Sequence, residues 1–406
     1  MKAIVLGMGL QGKAVIHDLE SSSLITGIFA ADLFAAENSL AEADDYLKKR
    51  GYSKTKAIKL DVLKEKDLSG KFSERGVNVV ICMLPIELAL TAARAALDAD
   101  IPFVSSNYTY ALSVLDDPAK KKNGIILPEM GLDPGIDLVL GRLAVDELDV
   151  VHGFYSYGGG IPVYSYGGGI PAPECADDSP IKYKISWIFD RVLDVYVREA
   201  RLVKNGRLHI VPGHEIFREE NVHEIEFPGL GAVEAYPNGD SERYVKIFGL
   251  GKELVEMGRF ALRWPGHSKF WRTMVDLGLL DENPVKVNKA DISPRAFISN
   301  CLTPKLQYKS DEQDIALLRV EVWGLKEGRK VKVTYDLIDY RDIETGLFAM
   351  NRTVGFTASI GAQMILTGKI TRAGVLSPVR HVPPHEFIKE LTARGMRIDY
   401  KIEELD

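Results

Sequence analysis

Three glycines, Gly7, Gly9 and Gly12, stand at the spacing that lets a chain wrap a pyrophosphate. A short apolar run, Met1 to Leu6, comes before them, and a helical pattern from Lys13 to Leu19 comes after. In that setting each glycine has a task. Gly7 makes the tight turn, Gly9 lets a phosphate approach the backbone, and Gly12 lets helix pack on strand. The helix N-terminus at Leu10 and Gln11 adds N–H groups and the positive end of the helix dipole. Asp32 closes a second apolar run, Leu24 to Ala31. A carboxylate there accepts hydrogen bonds from ribose hydroxyls and repels a 2′-phosphate. Leu33-Phe34-Ala35 follow it, with no arginine. The expected cofactor is therefore NAD, with NADP the alternative. Asp61 reads either as an adenine contact or as a solvated loop acid. Leu84 and Pro85, ending a later strand, read either as pyrophosphate- and ribose-lining residues or as an ordinary strand-to-turn transition.

A dinucleotide implies hydride chemistry, and the reacting groups of such a site belong at the carboxyl ends of strands. Two segments qualify. Ser105-Ser106-Asn107-Tyr108 ends one strand, and Glu129-Met130-Gly131-Leu132-Asp133-Pro134-Gly135-Ile136-Asp137 ends another. The proline and glycine beside Asp133 make a rigid turn that can hold its carboxylate. Asp137 opens the next helix and reads as its cap.

The elements that must hold these groups follow from periodicity. Ala57 to Leu60, Val77 to Met83 and Ile101 to Val104 read as further strands, with a helical pattern from Leu88 to Leu97. Strands alternating with helices give an α/β fold, a Rossmann-type doubly wound parallel sheet over residues 1–130. From 131 to 350 the pattern changes to a mixed α+β domain expected to bind substrate. Helices are expected at Lys182 to Glu199 and Lys269 to Leu277. Two antiparallel strands, Ile315 to Trp323 and Lys330 to Tyr340, flank a turn at Lys326 to Arg329. Residues 351–406 are expected to be helical and to return to the first domain. One tandem repeat stands out: Tyr155 to Val163 is followed by Tyr164 to Ala172, identical at eight of nine positions. It reads as a duplicated, lengthened loop, or as a glycine-rich lid.

Composition narrows the class. Hydrophobic residues make up 46%, charged residues 27%, and the net charge is −6. An acidic balance speaks against a nucleic-acid or anionic-membrane partner. Cys82, Cys175 and Cys301 are scattered, with no pair spaced for zinc. The N-terminal residues read as a strand rather than a leader, and no window is long and apolar enough for a membrane span. A cytoplasmic enzyme without a metal, acting on a small molecule, is expected. A homodimer or homotetramer is the default assembly.

Seven segments in order resemble the saccharopine dehydrogenase family, including its lysine 6-dehydrogenase relatives. They are Gly7 to Gly12, Ser105 to Tyr108, Gly131 to Asp137, Gly168-Gly169-Ile170-Pro171-Ala172-Pro173-Glu174, Tyr236-Pro237-Asn238-x-Asp240-Ser241, Leu262-Arg263-Trp264-Pro265-Gly266-His267, and Asn351-Arg352-Thr353-Val354-Gly355. The resemblance implies reversible oxidation at the lysine ε-carbon. Hydride leaves for the nicotinamide, and the imine is hydrolysed to a semialdehyde. Such chemistry needs a base for the amine proton, a group to activate water, and cations for an amino-acid substrate's carboxylates. The roles it implies are Asp133 as acid/base, Tyr108 as its hydrogen-bonding partner, and His267 as a proton relay or carboxylate contact. Arg263, Arg243 and Ser241 are implied at the substrate. Arg352 is expected to fix the C-terminal helix to the cofactor domain.

Three departures bear on the substrate. Saccharopine-type members carry cysteine where this chain has Gly158 or Gly167, and arginine where it has Gly239. Those using NADP do not end the second strand in Asp-Leu. The Gly239 departure weakens saccharopine, and the Asp-Leu ending, Arg263-Trp264-Pro265-Gly266-His267 and the tail from Asn351 to Pro378 resemble lysine 6-dehydrogenases, whereas Asp133-Pro134-Gly135-Ile136-Asp137 and Pro171-Ala172-Pro173-Glu174 lean toward saccharopine. A carboxynorspermidine-type amine dehydrogenase and a non-catalytic dinucleotide-binding protein are the other readings. A short-chain dehydrogenase is disfavoured, because its Tyr-x-x-x-Lys element has no convincing placement after the fifth strand.

Overall fold

The computed structural model describes residues 1–34, 37–163, 179 and 181–406. They form two compact units: Met1–Arg142 with Asn351–Met396, and Leu143–Met350 with Arg397–Asp406.

The first unit is a seven-stranded parallel sheet. Its order is Gly374–Val375, Ile125–Leu127, Phe103–Ser105, Val79–Cys82, Lys2–Leu6, Gly27–Asp32, Thr55–Lys59. Val79–Cys82 is apolar and buried throughout, as a strand covered by helices on both faces must be. Four alanines of the helix Ile86–Asp98 (Ala89, Ala92, Ala93 and Ala96) are buried. Strand order reverses beside Lys2–Leu6, which pairs with both Gly27–Asp32 and Val79–Cys82. The crevice outside the carboxyl ends of those strands is where such a sheet takes ligands.

The helix Ala349–Leu366 packs on the helix Leu10–Ser21. A Cβ at Gly355 would stand 2.6 Å from the Ala14 Cβ and 2.8 Å from the Gln11 carbonyl, so only glycine fits. Asp18 accepts hydrogen bonds from Ser359 Oγ and Arg394 Nε, both at 2.6 Å. Arg352 donates to the Arg394 carbonyl at 3.1 Å and lies over Phe356, a structural position.

The second unit is a nine-stranded mixed sheet. Its main order is His223–Phe227, Gly231–Pro237, Glu256–Arg263, Val150–Pro162, Asp314–Lys326, Arg329–Tyr340, Arg397–Glu404, and the hairpin Ala200–Lys204/Arg207–Val211 joins at Glu256–Arg263. Among the described strands of this sheet, only Glu256–Arg263 with Val150–Pro162 pairs in parallel. The expected hairpin turn is present: Glu327 and Gly328 both have positive φ, +52° and +77°, as a tight two-residue turn requires. Asp314 caps the helix that starts at Ala349, accepting from the Ala349 N–H at 2.7 Å and the Met350 N–H at 3.2 Å. Burial pushes the Asp314 carboxyl up to about 7.

Four expectations need correction. The first unit runs to Arg142 rather than 130, because the turn before the helix Ile136–Asp146 is tied into it. The second unit accordingly spans 143–350 rather than 131–350, and gains the chain's last residues. Those residues are not helical; Arg397–Glu404 is a strand, because its alternating apolar and charged residues suit the edge of a sheet. The helix expected at Lys182 to Glu199 is only Phe189–Val195. Ahead of it, Ser179 Oγ donates to the Tyr183 carbonyl and accepts its N–H, while Lys184 is buried against Glu312 at 2.7 Å. Those ties hold the segment in an irregular path.

The first copy of the tandem repeat is part of the central strand Val150–Pro162, so it is not loop. The second copy, 164–172, and Pro173-Glu174 lie outside the described residues. No helix among the described residues is long and apolar enough to cross a membrane.

Candidate active site

The glycine turn leaves the strand Lys2–Leu6 with Gly7 at φ +95°, a conformation that favours glycine. A Cβ at Gly12 would fall 1.8 Å from the Gly7 carbonyl oxygen, so the turn closes only without one. At Gly9 a Cβ would meet no protein atom within 4 Å, so the turn's own packing does not call for glycine there. Gly9 is also the N-cap of Leu10–Ser21; no side chain caps that helix, and its first turn carries no acid. Its opening N–H groups suit a pyrophosphate. Asp32 braces the turn, accepting from the Met8 N–H at 2.6 Å and the Leu33 N–H at 2.7 Å. Leu84 closes the other side, its Cδ2 within 3.3 Å of a Cβ built on Gly7, and its carbonyl accepts from Asn107 Nδ2 at 3.0 Å. Pro85 is the N-cap of Ile86–Asp98. These residues fit a dinucleotide. Asp61 ties its own turn, its Oδ1 accepting from the Leu63 and Lys64 N–H groups.

Beyond Phe103–Ser105 the chain carries Tyr108, half-buried and 5.1 Å from Tyr110 between ring centres. Glu129 is fully buried beside this loop, at φ +61°. Its N–H donates to the Asn107 carbonyl at 2.9 Å, and its Oε1 accepts from the Thr109 N–H at 3.2 Å. Glu129 thus holds the loop that carries Tyr108. In the next turn the Asp133–Pro134 bond is cis. Asp137 is buried and accepts from the Gly135 N–H at 2.7 Å, so it fastens the turn, while Asp133 sits half-buried at its tip.

In the second unit the strand Glu256–Arg263 places Arg259, Ala261 and Arg263 on one face by its two-residue period. Both arginines are buried. Arg263 lies over Tyr183 and Tyr236, at 5.2 and 6.0 Å, and donates to the Leu262 carbonyl at 2.7 Å. Its Nε has no hydrogen-bond partner among the described residues. Arg259 and Arg243 both lie over the Tyr244 ring, at 4.7 and 5.0 Å.

His267 opens the helix His267–Asp276, whose N-terminus is capped by Glu234: Oε2 accepts from Gly266 N–H and Oε1 from Ser268 N–H. Glu234 is the register partner of Arg263, which brings the helix start to the arginine strand. The His267 Nε2 shares a hydrogen bond with the Tyr196 hydroxyl at 2.9 Å, and its ring is stacked on Tyr236. Burial first, then the nearby Arg263, drive its pKa well below the ordinary histidine value, so the imidazole is neutral. Burial likewise pushes the Tyr183, Tyr196 and Tyr236 hydroxyls up, keeping them protonated donors. Ser241 is fully buried at the N-cap of Glu242–Phe248 and binds back through its N–H to the Arg201 carbonyl at 2.8 Å.

The structure thus gathers Gly7, Gly9, Leu10, Gln11, Gly12, Asp32 and Leu84 at one turn of the first unit. It gathers Arg263 and His267 among tyrosines in the second, with Arg243 beside Arg259. Arg259 is not among the expected site residues, and Glu129 stands in an expected segment without a role of its own. Arg259 left a signal, a second arginine four residues before Arg263 in an otherwise apolar strand. Glu129 left a weaker one, an acid just beyond the apolar run Ile125–Leu127. No group of His, Cys, Asp and Glu among the described residues is arranged to hold a metal.

Fold and glycine turn together define a dinucleotide-binding protein with a separate second unit. Family models agree: residues 3–127 match the saccharopine dehydrogenase NADP binding domain, and 131–396 the saccharopine dehydrogenase C-terminal domain. The chain belongs to the saccharopine dehydrogenase family. It is 28% identical to a saccharopine dehydrogenase [NADP(+), L-glutamate-forming] of Schizosaccharomyces pombe, covering 91% of this chain and 93% of that one. Against a mitochondrial alpha-aminoadipic semialdehyde synthase of Rattus norvegicus it is 26% identical over 97% of its own length, but spans only 47% of that relative. The solved apo saccharopine dehydrogenase (L-Glu forming) of Saccharomyces cerevisiae superposes with a TM-score of 0.81 at 25% identity, over 99% of both chains.

Proposed function

We propose that the protein is a dinucleotide-dependent oxidoreductase acting on a CH–NH bond, with saccharopine as its substrate. The observation that carries this reading is the pair of buried arginines on one strand face. Four residues of strand set Arg259 and Arg263 about 13 Å apart at Cα, and Arg243 joins Arg259 across Tyr244. Guanidinium forks bind carboxylates bidentately. Saccharopine presents carboxylates at both ends, whereas lysine presents one.

A nicotinamide dinucleotide supplies the hydride acceptor. Gly7 to Gly12 with Asp32 would hold it. The side chains do the rest: Asp133 removes the proton of the substrate amine, Tyr108 hydrogen-bonds at the reacting nitrogen, and the arginines fix the carboxylates. Neutral His267 orients the Tyr196 hydroxyl beside Arg263 rather than adding a charge. NAD is the proposed preferred form, because Asp32 sets a carboxylate against a 2′-phosphate. Lysine 6-dehydrogenase is the second reading, favoured by Gly239, which takes a turn at φ +69° where saccharopine-type members carry arginine.

The test is dinucleotide reduction with saccharopine, lysine and carboxynorspermidine in turn, using NAD and NADP. The expected result is kcat/KM highest for saccharopine and higher with NAD. Turnover of lysine alone would replace the substrate assignment, and a clear preference for NADP would overturn the role given to Asp32.

A further inference from the structure

The strand Arg397–Glu404 ends the nine-stranded sheet, antiparallel to Arg329–Tyr340. Next to it the Leu405 N–H donates to the Lys330 carbonyl at 2.9 Å. By the alternation of an antiparallel ladder, the odd-numbered residues 397–403 then turn their N–H and C=O groups toward Arg329–Tyr340. Ile398, Tyr400 and Ile402 turn theirs outward, where no strand among the described residues pairs with them. Edges are commonly blunted by proline, by a bulge, by being short or by charged side chains; this one carries charges, but of alternating sign. This one is eight residues long with no proline and an unbroken register. Tyr400 is 49% exposed and Ile402 39%.

The sequence of this strand, Arg-Ile-Asp-Tyr-Lys-Ile-Glu-Glu, is complementary to itself when run antiparallel about Tyr400. Arg397 then faces Glu403, Asp399 faces Lys401, Ile398 faces Ile402, and Tyr400 faces its own copy. The apolar pairs fall on one side of the sheet and the charged pairs on the other. Along the charged row, Arg397 already pairs with Asp399 at 2.8 Å and Lys401 with Glu403 at 2.6 Å. A second copy extends that row into a checkerboard of opposite charges. A two-fold axis perpendicular to the sheet must pass between a residue and its own copy, so few registers compete. Centring on Asp399 sets it against itself and Arg397 against Lys401. Centring on Lys401 sets it against itself and Asp399 against Glu403. Like charges directly opposite destabilise a sheet. Centring on Ile398 or Ile402 shortens the overlap.

We propose that this edge is an interface between two copies of the chain, each laying Arg397–Glu404 antiparallel to the other about Tyr400. The Tyr400 N–H and C=O exchange hydrogen bonds with the partner's Tyr400, and Ile398 does so with the partner's Ile402. The two sheets become one across the axis. Strand pairing alone buries less than a standard interface, so the association depends on concentration.

Sedimentation of the full chain tests this. Wild-type protein should pass from monomer toward dimer between about 1 and 100 µM. Asp399→Lys and Lys401→Asp each set like charges in opposition and should raise the dissociation constant about tenfold. The double substitution Asp399→Lys/Lys401→Asp restores opposite pairs and should restore the dimer. Tyr400→Cys, with Cys175 and Cys301 replaced by serine, should form an intermolecular disulfide on oxidation, because directly opposed hydrogen-bonded residues stand about 5.5 Å apart at Cα. A wild-type monomer at about 100 µM, a dimer indifferent to both single reversals, or no cross-link at Tyr400→Cys would each overturn the proposal.

Discussion

The dinucleotide turn and the arginine strand each present groups that suit an anion, and they do so by opposite means. At Gly7 to Gly12 the site is backbone: N–H groups of a helix start, and glycines where a Cβ would collide. At Arg259 and Arg263 it is side chain: long cations lying on tyrosine rings that arrive from distant parts of the sequence. Backbone sites are intolerant of a single methyl but indifferent to most side chains around them. Side-chain sites tolerate neighbours poorly and depend on what their rings and carboxylates press against.

The sharpest way to break that contrast is Gly12→Ala. The added Cβ lands 1.8 Å from the Gly7 oxygen, and a displacement of that size at a binding turn should weaken dinucleotide affinity by at least a hundredfold or so. Titration by the fluorescence of the reduced dinucleotide measures it; near-normal binding would mean the turn does not hold the cofactor. Next comes Asp133→Asn, expected to lower kcat by about a hundredfold or more while KM for the dinucleotide stays put.

Arg263→Lys keeps the charge and removes the fork, so KM for the amine substrate should rise about tenfold with the dinucleotide KM unchanged. An equal rise in both would mean that the two sites are not built independently. A further test, on stability rather than on binding or turnover, concerns Asp314. Its carboxyl is raised from 3.8 to about 7 by burial, so its contribution is full below the unfolded value and is lost as pH rises through the folded one. Wild-type stability relative to Asp314→Asn should therefore fall between about pH 4 and pH 7, by at most roughly 4 kcal/mol. Urea midpoints of the two proteins across that range would show a constant difference if the carboxyl titrates normally.

The same contrast explains what could be read before any coordinates. The turn was legible because backbone rules write themselves as glycines at fixed spacing, a strand before and a helix after. Asp32 was legible for the same reason, by its offset from Gly12. Asp137 reads as a helix cap in sequence; in the structure its carboxylate accepts from the Gly135 N–H and fastens the turn before the helix. The tyrosine surround of Arg263 was not legible, since Tyr183, Tyr196 and Tyr236 belong to different elements and meet only through tertiary packing. The expectation for His267 is a proton relay or a carboxylate contact; its neutrality comes from burial, which is invisible in a loop motif. Glu129 was passed over because nothing local distinguishes an acid that will be fully enclosed. The strand at Arg397–Glu404 left a signal that the expectation of a helical tail does not use, the period-two alternation of Ile398, Tyr400 and Ile402 with charges.

The tie between Gly355 and Ala14, with Arg394 on Asp18, has a consequence for how the protein is made. The nucleotide-binding unit opens the chain, yet it draws on 351–396 for a packing helix and for its outermost strand, Gly374–Val375. During synthesis its first 142 residues emerge from the ribosome long before the pieces that complete them. Contacts of such sequence separation form slowly, and incomplete sheets expose apolar surface while they wait. The unit that starts earlier along the sequence cannot close until most of the other unit has been made.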